Sequence, residues 1–143
     1  MPTPSYFNAF SENIAEGVHD LGSDTLKIML TNNAPIATNT ILANLVEIST
    51  GNGYSAGGSA ATAVTSAQTS GTYKLVRADV TITASGGSIG PFRYAVLYND
   101  TPTSPADPLI GWIDYGSSLT LADGESITID FPGSAGVLTF GFA

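Results

Sequence analysis

The chain has 143 residues, no cysteine, and a net charge of −8 from 12 acidic and 4 basic side chains. That length suits one domain able to bury about 68–70% of the surface its unfolded chain exposes, and the missing cysteine removes both a disulfide framework and a thiol nucleophile. Four cations, Lys27, Lys74, Arg77 and Arg93, are too few to neutralise a phosphate backbone or hold an anionic lipid surface, so neither direct nucleic-acid binding nor a membrane partner is expected.

The first residues, Met-Pro-Thr-Pro-Ser-Tyr, lack the positive n-region of a signal peptide. Residues 5–21 carry the one good helical pattern: Phe7, Phe10, Ile14, Val18 and Leu21 recur at steps of three and four. Ser5 is placed to cap it and Gly22 to stop it, while Gly17 weakens it. Residues 1–22 are thus expected to form a helix or arm ahead of a single β domain over 23–143. Such a helix normally packs on its own domain; the alternative is an arm whose Tyr6, Phe7 and Phe10 dock into a neighbouring subunit.

Residues 24–31 predict a strand with Leu26, Ile28 and Leu30 on one face and Lys27 and Met29 on the other, ended by Asn32-Asn33-Ala34-Pro35. Residues 38–48 suggest a short helix capped by Thr38 or Asn39. Residues 49–59 form a glycine-rich loop. It lacks the Gly-Lys-Ser/Thr ending and following helix of a phosphate cradle, so a flexible connection or inter-subunit loop anchored by Tyr54 is the better reading. Residues 60–66 and 72–84 read as a hairpin about 67–71, with Arg77, Asp79, Thr81 and Thr83 on its wet face.

The strongest β segment spans 86–100. Phe92, Tyr94, Val96 and Tyr98 share one parity, and Arg93, Ala95 and Leu97 the other, so both faces are covered and the strand is central. Arg93 needs a carboxylate such as Asp79 or Asp114, or an exposed edge or interface, because an unpaired buried guanidinium is costly. After the proline-studded loop 99–108 comes a strand at 109–115, broken by Gly116, with Ile110 and Trp112 opposite Leu109, Ile113 and Tyr115. Segments 117–122 and 125–131 flank Asp123-Gly124, a strong hairpin signal. A turn at 132–136 leads to a last strand at 137–143. About eight short strands with turns between them predict an all-β fold, mainly an antiparallel β-sandwich or jelly-roll-like barrel, with a short N-terminal helix or arm.

Chemistry is sparse in this pattern. His19 is the single histidine, at a helix end that favours a cation. A serine triad would need it, but no Gly-x-Ser-x-Gly elbow is present, and a zinc site would recruit more histidine or cysteine. Asp114, two residues after Trp112, hints at an acid beside a sugar-stacking ring; a core or interface tryptophan is the more ordinary reading. Oxygen ligands gather from Asn99 to Asp107, without the spacing of a calcium loop. The expectation is therefore no enzyme, with no catalytic, cofactor-binding or metal residues.

Residues 17–27, Leu30-Thr31-Asn32-Asn33-Ala34-Pro35, 51–58, the 86–100 stretch and Leu109-Ile110-Gly111-Trp112-Ile113-Asp114-Tyr115-Gly116 together resemble small structural proteins of tailed bacteriophages and prophages. The resemblance covers nearly the whole chain. It implies a capsid decoration or cement protein on the outer capsid surface of the virion, bound to the major capsid protein as a symmetric oligomer, here expected to be a homotrimer. Composition agrees: charged residues are 11% of the chain, against about 25% in ordinary domains, which suits a surface held among other proteins. Acidity suits the outside of a shell better than its DNA-facing interior. Interface residues expected on this reading are Tyr6, Phe7, Phe10, Tyr54, Arg93 and Trp112. The alternative is a tail or head-fibre component that binds a host-surface glycan through Tyr54, Trp112 or other exposed aromatics.

Overall fold

A computed structural model describes residues 4–131 and 138–141. In chain order its elements are β1 (Ser5–Tyr6), α1 (Asn8–Ala15), β2 (Leu26–Thr31), a 3-10 turn (Leu42–Asn44), β3 (Ser59–Ala60), β4 (Ala63–Thr69), β5 (Thr72–Arg77), β6 (Val80–Thr83), β7 (Ile89–Asn99), β8 (Leu109–Leu121), β9 (Ser126–Ile129) and β10 (Leu138–Gly141). The expected turn at 132–136 and the ends of the last expected strand lie outside the described residues. All strand pairs are antiparallel, in sheets ordered β1-β8-β7-β2-β3, β10-β5-β4 and β6-β9. The fold is all-β and sandwich-like, with one short helix near the N-terminus.

β7 is central, hydrogen-bonded to β2 on one side and β8 on the other. The larger core lies between the five-stranded sheet and the two smaller ones. It joins Leu26, Ile28 and Leu30 of β2 to Ala95 and Leu97 of β7, Leu75 of β5, Val80 and Ile82 of β6, and Ile129 of β9. A smaller core covers the opposite face of the five-stranded sheet: Phe7, Met29, Val96, Tyr98 and Leu109, overlaid by Leu42, Leu45 and Trp112. The alternation expected for β2 therefore holds.

The parity expected for β7 and β8 does not hold throughout, because bulges shift it. Phe92 lies in the larger core with Ala95 and Leu97, while Val96 and Tyr98 lie in the smaller. Between Phe92 and Tyr94 the partner residue jumps from Leu119 to Asp114, so extra chain on β8 is accommodated there. Likewise Leu97 opposes Gly111 and Tyr98 opposes Leu109, leaving Ile110 extra; Leu109 and Trp112 then share a face. Gly116, at φ +86, bends β8 without ending it.

Other expectations need correction. The helix is shorter: Ser5 pairs with Trp112 in β1 rather than capping, and Phe7 is the N-cap, without a side-chain bond. Gly17, at φ +75, is the stop. The Val18 N–H reaches the Asn13 carbonyl and the Gly17 N–H that of Ile14, a Schellman closure that requires a left-handed residue. The segment packs on its own domain, as the leading expectation had it, and the docking arm is not what is seen: Phe7 lies in one core and Phe10 and Leu21 in the other.

Residues 38–48 are mostly extended, with Ile41 and Leu45 in β conformation around the 3-10 turn. The Asn44 side-chain oxygen accepts from the Thr40 and Ile41 N–H groups, a local bond that competes with helix. The expected strand 72–84 divides at Ala78-Asp79 into β5 and β6, which belong to different sheets. Asp123-Gly124 does not close a hairpin either. β9 pairs with β6, and the turn is held against residues 84–86 by Gly124 N–H to the Ala84 carbonyl and by Gly86 N–H to the Asp123 carboxylate.

Candidate functional site

Of the expected interface aromatics, Phe7 meets Trp112 at the β1–β8 edge, while Tyr6 and Phe10 stack on each other. Ser5 and Tyr6 pair with Trp112 and Gly111. The Phe7 and Trp112 rings are tilted at 4.6 Å, and Tyr6 stacks on Phe10 at 6.0 Å. Gly111 is needed here, since a Cβ on it would sit 2.6 Å from the Ser5 carbonyl oxygen. Phe7 and Phe10 are buried in their own domain, which offers neither to a neighbour; Trp112 is half-buried and Tyr6 is 42% exposed. Asn8 N–H to the Ala37 carbonyl lays residues 36–37 beside the start of α1, where Ile36 is 62% exposed.

Arg93 adjoins this edge through β7 and β8. It grips Asp114 with two bonds, Nε to Oδ1 at 2.7 Å and a terminal nitrogen to Oδ2 at 3.0 Å, and its guanidinium lies 5.3 Å from the Tyr94 ring centre. Asp114 also accepts from the Gly116 N–H, and these bonds, the Arg93 one foremost, hold its carboxyl below the usual carboxylate range. With both oxygens occupied and the neighbouring tryptophan packed on Phe7, the arrangement of an acid beside a free sugar-stacking ring is not present.

Tyr54 lies elsewhere, at the edge of β2. Its buried hydroxyl accepts from the Leu30 N–H at 2.9 Å and donates to Glu47 at 2.8 Å. Burial pushes that hydroxyl far above its ordinary pKa, so it remains a donor. Glu47 also accepts from the Gly57 N–H, and the Tyr98 hydroxyl donates to the Gly57 carbonyl at 2.7 Å. The anchor role expected of Tyr54 is thus what its contacts provide, but the loop is pinned rather than a flexible connection. Gly58, at φ +78, is required because a Cβ would collide with the Ile28 carbonyl. Beyond Tyr98, Lys27 pairs with Asp100 at 2.9 Å, so this carboxylate of the oxygen-rich loop has a cation of the chain itself.

A third polar node is interior, and the sequence hid it. Asn99, fully buried, donates to Asp24 at 2.6 Å and lies 3.1 Å from His19 Nδ1. With both Asn99 amide hydrogens so used, Nδ1 is the acceptor and Nε2 carries the proton; Nε2 has no partner among the described residues and the ring sits edge-on to Phe10. Burial lowers the His19 pKa, opposed by the nearby Asp24 charge. Arg77, expected on a wet face, is buried. Its guanidinium donates to the Leu21 carbonyl at 2.7 Å and the Ala61 carbonyl at 3.2 Å. That bond set ties the N-terminal segment to the chain just after the glycine-rich loop, a structural use of a buried cation whose terminal nitrogens are bonded while the buried Nε has no partner among the described residues.

Among the described residues, no three His, Cys, Asp or Glu side chains approach closely enough to hold a metal ion, and no helix is long and apolar enough to cross a membrane. Comparison with family models, with curated proteins and with solved structures gives no match to the chain.

Proposed function

We propose that the chain is a virion structural protein of a tailed bacteriophage, a decoration protein that binds and stabilises the major capsid shell from outside as a symmetric homo-oligomer. Supporting this reading, the segments that carry the resemblance contain the residues that lock the frame: Gly17 at the helix stop, Asp24 in the interior node, Tyr54, Gly57 and Gly58 in the pinned loop, and Gly111 under β1.

The observation that carries the proposal is the β1–β8 edge, where exposed Tyr6 stands on one face and half-buried Trp112 with the Arg93–Asp114 pair on the other, and exposed Ile36 lies beside the start of α1. It joins exposed and half-buried apolar surface to a fixed ion pair on a rigid sheet edge, the composition of a protein-docking patch. The net charge of −8 favours the outer face of a DNA-filled shell.

The test is cosedimentation of the purified chain with mature shells that lack it. Binding is expected, with Ile36→Asp abolishing it while leaving the thermal melt unchanged. No binding by the wild-type chain, or binding to host cells instead of shells, would overturn the reading, the second outcome favouring the fibre alternative.

A further inference from the structure

We propose that the free edge of β4 pairs, antiparallel and about a two-fold axis, with β4 of a second copy of this chain. β4 is the outermost strand of its sheet, and all seven of its residues, Ala63–Thr69, are exposed. The hairpin turn is Ser70-Gly71, both with positive φ, and Thr69 faces Thr72. In a two-residue hairpin the flanking pair is hydrogen-bonded, so Thr69, Ala67 and Thr65 direct their main-chain groups to β5. Ser66 and Gln68 direct theirs outward, a template for another strand.

Natural edges of this length are guarded by a lysine, an inward charge or a proline. β4 has none of these, and its one bulge lies at its start, between Ala63 and Thr65. No Asp, Glu, Lys, Arg or His occurs between Glu47 and Lys74, in a chain whose net charge is −8. A second copy is therefore the occupant that fits: its own β4 is equally free of charge, so the two meet without the repulsion the rest of the surface would impose. Lys74, the nearest cation on β5, would stand three strand spacings from its counterpart, about 14 Å, beyond a Debye length at physiological salt.

The outward groups fix the register. Ser66 opposite Gln68 of the second copy gives a hydrogen-bonded pair on each side of the axis, and Ala67 then faces its own counterpart across a non-hydrogen-bonded site. Thr65 faces Thr69, a favourable cross-strand pair. The small Ala67 side chains let the strands meet at the axis without a clash.

The contact is two-fold, so it closes at two copies in place of the three expected from the sequence; the inference does not rest on the virion reading. The test uses the absence of native cysteine. Ala67→Cys in the full chain, mildly oxidised, is expected to give a covalent dimer, since facing non-hydrogen-bonded residues lie about 4.5 Å apart, within disulfide reach. Thr65→Cys, which would face Thr69 rather than itself, is expected to stay uncrosslinked. Ala67→Glu sets two carboxylates face to face at the axis yet opposes Lys74 within its own chain. It is expected to weaken association in sedimentation equilibrium by about tenfold or more while the thermal melt is kept. A monomer at all concentrations, a trimer, an assembly indifferent to Ala67→Glu, or equal crosslinking at both cysteine positions would overturn the proposal. Shell binding is read separately, so loss of one leaves the other standing.

Discussion

Two sheet edges among the described residues, the free sides of β2 and β4, are treated differently. The free side of β2 is closed at every point beyond the short β3: Ala61 N–H reaches the Leu26 carbonyl, Ile48 N–H the Leu30 carbonyl, and the Tyr54 hydroxyl takes the Leu30 N–H. The Thr31 hydroxyl adds a bond to the Val46 carbonyl. The free side of β4 has no such cover among the described residues. The glycine-rich loop that looked like a tether is what seals the first edge, and the absence of charge from Glu47 to Lys74 leaves the second open. An edge can thus be guarded by its own chain or kept for another's, and the local sequence shows which.

That contrast can be broken by removing what lies over the sealed sheet. Phe7 closes the smaller core against Met29, Val96 and Trp112. Phe7→Ala is expected to cost about 3–5 kcal/mol in urea unfolding. For the same reason deletion of residues 1–20 unfolds the frame and says nothing about docking. Gly58→Ala adds a left-handed strain to a collision with the Ile28 carbonyl, for an expected loss of about 2–4 kcal/mol; Gly71→Ala, also left-handed but open around its Cβ, should lose no more than about 1–2. Tyr54→Phe leaves the Leu30 N–H and Glu47 without their shared partner and is expected to cost about 1–3 kcal/mol.

The interior node sets a pH dependence. Burial holds the folded-state pKa of His19 below its ordinary value near 6.5, with Asp24 partly opposing and Phe10, Asn99 and Arg77 around it. The unfolded chain then binds the proton more readily. The contribution is fully present above about pH 6.5 and is lost as pH falls through the lower folded value. His19→Gln should flatten that part of the stability profile, and the single histidine resonance should titrate below 6.5 in the wild type. At the small end, Val64→Ala at the bulge of β4, where the side chain is 62% exposed, should change stability by less than about 0.5 kcal/mol.

The central strand, the alternation of β2 and the all-β class were legible because burial on both faces leaves a period-2 trace that no local bond disturbs. Legibility failed where one residue shifted the frame. The extra Ile110 flips Leu109 to the face of Trp112, and the break at Ala78-Asp79 sends β5 and β6 to different sheets. Asp123-Gly124 has the right turn chemistry, but nothing in it specifies that β9 will pair with β6, some 40 residues earlier in the chain, rather than with β8. Of the candidate site, the Arg93–Asp114 pair was within reach because an arginine on an apolar strand must find a carboxylate. The His19–Asn99–Asp24 node and the inward turn of Arg77 were not, since they join residues far apart in sequence whose types suit a surface equally well.

The most direct test of the account is a reconstruction of phage particles assembled with and without this chain. The account predicts added density on the outer face of the shell in the first set alone, into which the β domain fits with its β1–β8 edge against the major capsid subunit. Identical shells in the two sets, or the domain located on the tail or inside the head, would contradict it.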